Sequence, residues 1–269
     1  MPELPEVETV VRALREPLIG QTITEVRNYW PKQISPELNE FQKRIHGKKV
    51  EAVDRRAKYI VITLTENETL IIHLRMSGHL SVVDKDFSAE KHVHTIFGLA
   101  NGQELRFRNP RKFGRVYLVQ NKDEILDKLG PEPLDDSFTV ELLAQRLNGR
   151  SRQLKSLLLD QTFIAGVGNI YADETAFDAG LHPERRVDTL SPEEIKALHQ
   201  AIQKVLKLGI AREGASISQY IKPDGTKGDM QNAVMVFRRT GLPCYHCGTS
   251  IERIKLGGRS THFCPNCQH

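Results

Sequence analysis

The four cysteines of this 269-residue chain form two pairs, Cys244-x-x-Cys247 and Cys264-x-x-Cys267, with sixteen residues between them. That spacing is the spacing of a structural zinc site with four cysteine ligands. Each C-x-x-C turn presents two thiolates to one tetrahedral ion. The intervening segment must then return as a hairpin, expected over 251–256 and 261–263 with its turn at Gly257-Gly258. The competing readings are two disulfides or a redox C-x-x-C. Nothing thioredoxin-like surrounds the pairs. The opening Met1-Pro2-Glu3-Leu4-Pro5-Glu6 is acidic where an export signal is basic. One Zn²⁺ is therefore expected, and it is structural, because four protein ligands leave no open coordination position. Four thiolates around Zn²⁺ offset part of the basic surplus of the tail. Arg259, at or beside the expected turn, is the tail residue best placed to project towards a phosphate.

The rest of the chain reads as α+β. Val7, Val10, Val11, Leu14 and Leu18 follow helical spacing and predict a helix over 6–20, stopped by Gly20. Strands are expected at 22–26, 49–53, 59–65, 69–74, 79–83, 94–100, 104–107 and 115–119. Asn101-Gly102 is a favoured type I′ hairpin pair. The stiff Gly130-Pro131-Glu132-Pro133 marks a domain boundary. Helices are expected beyond it at 140–147, 152–160, 170–179 and 191–210. Ser191 would cap the last of these, with Pro192 at its first position. The stretch 215–232 is poor in apolar residues and reads as a mobile loop.

No segment approaches the roughly 18 consecutive apolar residues of a membrane span. With the acidic opening, this predicts a soluble cytoplasmic protein. The net charge of +4 names no partner, but its distribution is uneven. Residues 43–58 hold seven basic side chains against two acidic, and 105–115 and 146–155 hold no acid at all. Residues 238–269 hold five basic side chains against Glu252. Four basic islands either line one phosphate-binding face or are separate solvated surfaces, and charge alone leaves both open.

Several ordered blocks carry a resemblance. They are Pro2-Glu3-Leu4-Pro5-Glu6-Val7-Glu8, Arg55-Arg56-Ala57-Lys58-Tyr59, His73-Leu74-Arg75-Met76-Ser77-Gly78 and Pro110-Arg111-Lys112-Phe113-Gly114. Gly130-Pro131-Glu132-Pro133-Leu134, Gly166-Val167-Gly168-Asn169-Ile170-Tyr171 and Gly258-Arg259-Ser260-Thr261-His262-Phe263-Cys264 follow. Along essentially its whole length the chain resembles the formamidopyrimidine-DNA glycosylases (8-oxoguanine-DNA glycosylases) of bacteria. The resemblance implies an N-terminal β-sandwich with flanking helices over 2–130 and a linker at 131–137. A helix–two-turn–helix domain with a lesion-capping loop would follow over 138–232, then a zinc ribbon over 233–269. Double-stranded DNA carrying an oxidised purine or an abasic site would lie across the cleft between the halves of a monomer.

The same resemblance implies site residues. Once Met1 is removed, Pro2 would attack sugar C1′ through its secondary amine, displace the base and form a Schiff base. Glu3 would be the general acid, a role that calls for burial. Lys58 would act near the lesion phosphate in β-elimination, and Arg259 in phosphate binding and δ-elimination. Met76, Arg111 and Phe113 would fill the hole left by the extruded base. His73, His92, Arg150, Asn169 and Arg259 would hold phosphates, the glycines of 166–169 allowing close backbone approach. Residues 217–232 would form the capping loop. Taken alone, Pro2 would be a proline before a helix, Glu8 a favourable helix N-terminal charge, and Met76 and Phe113 core residues; Glu6 is left undecided. Three positions depart from the family pattern: Asn109 for Asp, Ser156 for Pro, and Phe237-Arg238 for Tyr-Gly. Two rival readings remain, an endonuclease VIII-like enzyme for oxidised pyrimidines and a non-catalytic zinc-ribbon DNA-binding protein that keeps Met1. Leu4 and the Arg111–Phe113 wedge favour the purine enzyme over the first.

Overall fold

In the computed structural model, which describes residues 1–88, 91–217 and 220–269, the N-terminal helix α1 runs Leu4–Leu18. It starts two residues before the expected boundary because Pro5 is tolerated in a first turn, where its missing N–H is not needed. Val7, Val10, Val11, Leu14 and Leu18 are buried along one stripe. Each such side chain contributes roughly 1.5–3 kcal/mol of burial free energy. The chain divides into two units, Met1–Asp127 with Glu213–Asp229, and Lys128–Arg212 with Met230–His269.

In the first unit α1 is followed by β1 (Ile23–Asn28), β2 (Ile34–Ser35), α2 (Leu38–Ile45), β3 (Val50–Arg56) and β4 (Tyr59–Leu64). Then come β5 (Glu68–His73), β6 (His79–Asp84), β7 (Val93–Leu99), β8 (Gln103–Arg108), β9 (Arg115–Val119) and α3 (Asp123–Leu126). They build a four-stranded sheet, β1-β7-β8-β6, and a five-stranded sheet, β2-β9-β5-β4-β3. One apolar core joins Ile60, Ile62, Leu70 and Ile72 of the larger sheet to Val26, Phe97, Leu105 and Phe107 of the smaller. This is the expected sandwich. The β7–β8 connection corrects one expectation. It is a three-residue loop in which Gly102 has φ +85° and Asn101 stays out of the left-handed region, so it is not type I′. Asn101 instead accepts the Gln103 N–H on its own side chain at 3.0 Å, which fixes the turn locally.

Of the segment 215–232, expected to be a mobile loop of the helical domain, the described residues up to Asp229 pack by their contacts with the first unit, and Met230 onwards belongs to the second. Ala215 and Tyr220 are buried, and Tyr220 joins the sandwich core. Ser218 and Gln219, within that expected loop, lie outside the described residues.

The second unit holds α4 (Val140–Leu147), α5 (Leu154–Leu158), α6 (Asn169–Asp178), α7 (Pro192–Ala211) and the hairpin β10 (Glu252–Leu256) with β11 (Arg259–Phe263). Ser191 caps α7 as expected, its Oγ accepting from Glu194 N while Glu194 accepts from Ser191 N at 2.8 Å. The turn between β10 and β11 has φ +55° at Gly257 and +77° at Gly258, a conformation open to glycine at both positions. Gly130, just before the expected linker, donates its N–H to Gln161 O, and Pro131 within it accepts at its carbonyl from Ala165 N. Among the described residues no helix is long and apolar enough to cross a membrane.

Candidate functional site

Strand register gathers the expected residues of the first unit at one end of the five-stranded sheet. His73, last in β5, pairs with Tyr59, first in β4, and with Arg115, first in β9. The Ala57-Lys58 turn, the 74–78 loop and the 109–114 loop therefore share one sheet end. Lys58 is buried there, 4% exposed. The two loops are joined where Arg111 N donates to Ser77 Oγ at 3.3 Å. Both also close on the Phe107 ring: a Cβ at Gly78 would lie 2.7 Å from it, and one at Gly114 2.5 Å. Only glycine fits at either position. His92 is tied in through its carbonyl, which accepts from Asn109 N at 2.9 Å.

Backbone strain concentrates at the same place. Ala57, Arg75, His92 and Lys112 all have φ between +53° and +72°, a conformation that non-glycine residues keep only where the surroundings enforce it. The loop tips are apolar and exposed. Met76 is 42% and Phe113 49% exposed, which rules out the core-residue reading of both. The Arg111 guanidinium lies 5.4 Å from the centre of the Phe113 ring. Asn109, the departure from Asp, is buried beneath this loop, and among the described residues neither of its carboxamide atoms has a hydrogen-bond partner; nothing in the structure explains the substitution.

Pro2 and Glu3 are buried at the start of α1. Glu8 fixes that end of the helix to β3 through Arg55, Nε to Oε2 at 3.0 Å, three residues before Lys58. Glu6, undecided from sequence, is 1% exposed and bridges two backbone groups. It accepts from Glu3 N at 2.7 Å and from Ala215 N at 2.8 Å. A signal was present in the sequence, since Glu6 lies between the buried positions Leu4 and Val7 rather than on the solvent stripe. Replacing Glu6 by Gln leaves one acceptor oxygen for two donors and is expected to cost about 1–3 kcal/mol. Faster hydrogen exchange at the Ala215 amide, against unchanged exchange within β4, would register it.

His73 is 6% exposed, and its Nδ1 accepts from Arg75 N at 2.9 Å. The neutral ring therefore carries its proton on Nε2, available to donate to a phosphate oxygen. Burial, then Arg75 and Lys58, hold its pKa down at about 3. The unfolded ring takes a proton below pH 6.5 and the folded ring does not. Stability is thus lost as pH falls from about 6.5 towards 3, by up to roughly 1.4 kcal/mol per unit. Urea unfolding at several pH values should show this slope in the wild type and a shallower one in His73→Gln.

In the second unit Asn169 and Arg259 come together. With Arg238, Arg253, Ser260 and His262 they line a cavity of about 430 Å³. Asn169 opens α6 and donates to Ser260 O at 3.2 Å. Arg150 is exposed beyond α4, its guanidinium 5.5 Å from the Phe163 ring centre, and it does not line that cavity. Beneath the ribbon hairpin lies a buried network that the sequence reading missed. Lys155 Nζ meets Asp173 Oδ1 at 2.6 Å, Ser260 O at 2.9 Å and Thr261 Oγ1 at 2.8 Å. Asp173 Oδ2 accepts from His262 N and Nδ1 at 3.0 and 3.1 Å. The next residue, Glu174, accepts from the backbone N–H groups of Met235, Val236 and Phe237 at 2.7–3.0 Å. Burial still holds its carboxyl above the usual range. The two adjacent acids inside the buried run of α6, between Ala172 and Thr175, were the available signal.

The basic islands divide accordingly. Arg44, Lys48 and Arg55 pair with Glu68, Glu66 and Glu8. Arg106 is buried against Glu104, and Lys155 against Asp173. Part of the positive charge read from sequence is thus paired within the units.

The four cysteine sulfurs lie within 4.8 Å of one another. Cys244–Cys267 and Cys247–Cys264 approach to 3.9 and 3.5 Å. Tetrahedral zinc–thiolate bonds of about 2.3 Å require sulfurs about 3.8 Å apart, so the cluster fits one structural zinc ion. None of the four is in a disulfide, which removes that alternative.

The chain matches three family models: the formamidopyrimidine-DNA glycosylase N-terminal domain over residues 1–116, its H2TH domain over 129–221, and the zinc finger found in FPG and IleRS over 241–269. It is 44% identical over 274 residues to the formamidopyrimidine-DNA glycosylase of Desulforamulus reducens, covering 100% of this chain and 99% of that one. It is 47% identical to that of Herpetosiphon aurantiacus, with 100% of both covered. A Lactococcus lactis FPG mutant in complex with a Fapy-dG containing DNA superposes with a TM-score of 0.93 at 37% identity, over 100% of both chains. The MutM (FPG) protein of Thermus thermophilus gives 0.90 at 39% identity, over 99% and 98%. The chain belongs to the formamidopyrimidine-DNA glycosylase family.

Proposed function

We propose that this protein excises oxidised purines, 8-oxoguanine and formamidopyrimidines, from duplex DNA and then cuts the abasic strand, acting as a monomer in the cytoplasm. The Pro2 amine, freed by removal of Met1, attacks C1′. The base leaves with the electron pair of the glycosidic bond, and Glu3 supplies a proton. The resulting Schiff base opens the sugar to β-elimination, in which Lys58 acts, and to δ-elimination, in which Arg259 acts. His73, His92, Arg150 and Asn169 bind the backbone, while Met76, Arg111 and Phe113 occupy the space of the extruded nucleotide. Zinc takes no part in the reaction; it holds the ribbon that presents Arg259.

One observation carries this reading: a buried lysine, a neutral histidine and an exposed Met–Arg–Phe set meet at a single sheet end. Each residue type suits its task. A buried amine loses few competing water contacts, a neutral imidazole donates without titrating, and exposed apolar tips gain surface by entering a base stack. Solved relatives hold DNA containing Fapy-dG, carbocyclic 8-oxo-G or an abasic site, which supports the substrate class. Excision from matched duplexes containing 8-oxoguanine opposite cytosine or thymine glycol tests it. Faster release of 8-oxoguanine is expected. Faster release of thymine glycol would move the protein to the pyrimidine-specific reading.

A further inference from the structure

We propose that Arg238 is an additional DNA-backbone contact, engaging a phosphodiester next to the one held by Asn169 and Arg259; this rests on the DNA-repair reading above. Among the described residues, the lining of the cavity they share holds three guanidinium groups, of Arg238, Arg253 and Arg259, and no carboxylate. The nearby Asp173 is engaged by Lys155 and His262. Planar guanidinium forks match phosphate oxygens, so three of them around one cavity form an anion-binding concavity.

Arg238 holds φ +60°, the left-handed conformation that glycine adopts freely, and the family pattern has glycine here. Strain of this kind persists where the side chain has a use. The backbone before it is fixed, because the Glu174 carboxylate holds the N–H groups of Val236 and Phe237 at 3.0 and 2.8 Å. The Phe237 ring rests edge-on against His262 at 5.1 Å. Arg238 is thus presented from an ordered backbone, which lowers the ordering cost of binding. Its neighbour has a different task. Arg239 is buried, donates to Pro243 O at 2.8 Å and lies 3.5 Å from the Tyr245 ring centre. Of the Arg238-Arg239 pair, only Arg238 is left exposed towards the cavity.

The test is the salt dependence of binding to a duplex with a non-cleavable abasic analogue, followed by fluorescence anisotropy between about 50 and 200 mM KCl. Arg238→Gly and Arg238→Gln should each lower the slope of log K against log salt by about 1, and weaken binding roughly 5- to 10-fold near 0.1 M salt. Arg238→Lys should keep the slope, as should Lys207→Gln, which removes an exposed charge from α7 outside the cavity. Arg238→Gly should unfold at no lower temperature than the wild type, since glycine fits φ +60° better than arginine, so misfolding does not explain its loss. Equal slopes in wild type, Arg238→Gly and Arg238→Gln would overturn the proposal, as would the same loss in Arg238→Lys. Absence of salt-dependent binding by the wild type would instead overturn the DNA-repair reading.

Discussion

Replacing Asp173 with alanine is expected to cost about 3–5 kcal/mol of folding stability, because it removes the carboxylate that pairs with the buried Lys155 ammonium. Both side chains are 0% exposed. Water therefore cannot replace the lost carboxylate, and Ser260 O and Thr261 Oγ1 supply only neutral acceptors. The substitution also strips the His262 N–H of its acceptor. Domains are stable by only about 5–15 kcal/mol, so the loss should be plain in urea unfolding. Removing the charge as well, in Asp173→Leu with Lys155→Met, should recover much of the loss, because what costs most is the buried ammonium deprived of the Asp173 carboxylate rather than the missing pair. A double variant as unstable as the sum of its parts would mean that hydrogen bonds, not charge, hold this layer.

Removing zinc should unfold the ribbon and carry DNA binding with it. The cluster that packs the ribbon consists of Phe177, Val236, Cys244, Ile251 and Cys264, and two of its five members are metal ligands. So small an apolar core does not hold a hairpin by itself. Structural zinc supplies about 10–16 kcal/mol in comparable small sites. Without it four thiols crowd one point, and β10–β11, which carries Arg253 and Arg259, loses its anchor. Treatment with a strong chelator should release one zinc per chain. It should also weaken binding to the abasic-analogue duplex about 10- to 100-fold or more, the scale of one or two lost phosphate contacts. Readdition of zinc under reducing conditions should restore binding. Full affinity in metal-free protein would show that the ribbon takes no part in holding DNA.

What could be read from the sequence was local. The cysteine spacing, the Gly257-Gly258 turn, the Ser191 cap and the strand-like runs of the sandwich depend on neighbours in the chain, and each has a short-range physical cause. The short α2 was missed because its stripe rests on two residues, Phe41 and Ile45. Charge misled where long-range contacts decide. Arg55, Arg106 and Lys155 counted towards basic surfaces, yet their partners Glu8, Glu104 and Asp173 hold them inside. Residues 215–232 read as mobile because they are polar; within that stretch Ala215, Tyr220 and Met230 are buried, which composition does not reveal. At the site, motif resemblance supplied the residues. The register joining Tyr59, His73 and Arg115, and the strain at Ala57, Arg75 and Lys112, required the structure.

The central claim is that the amine of Pro2 performs the chemistry. Borohydride trapping tests it directly, using a duplex with 8-oxoguanine opposite cytosine and protein shown by intact mass to lack Met1. The account predicts a covalent protein–DNA product for the wild type and its loss, or strong reduction, in Pro2→Gly. No covalent product from zinc-loaded protein with a free Pro2 would contradict the account and leave a DNA-binding protein without this chemistry.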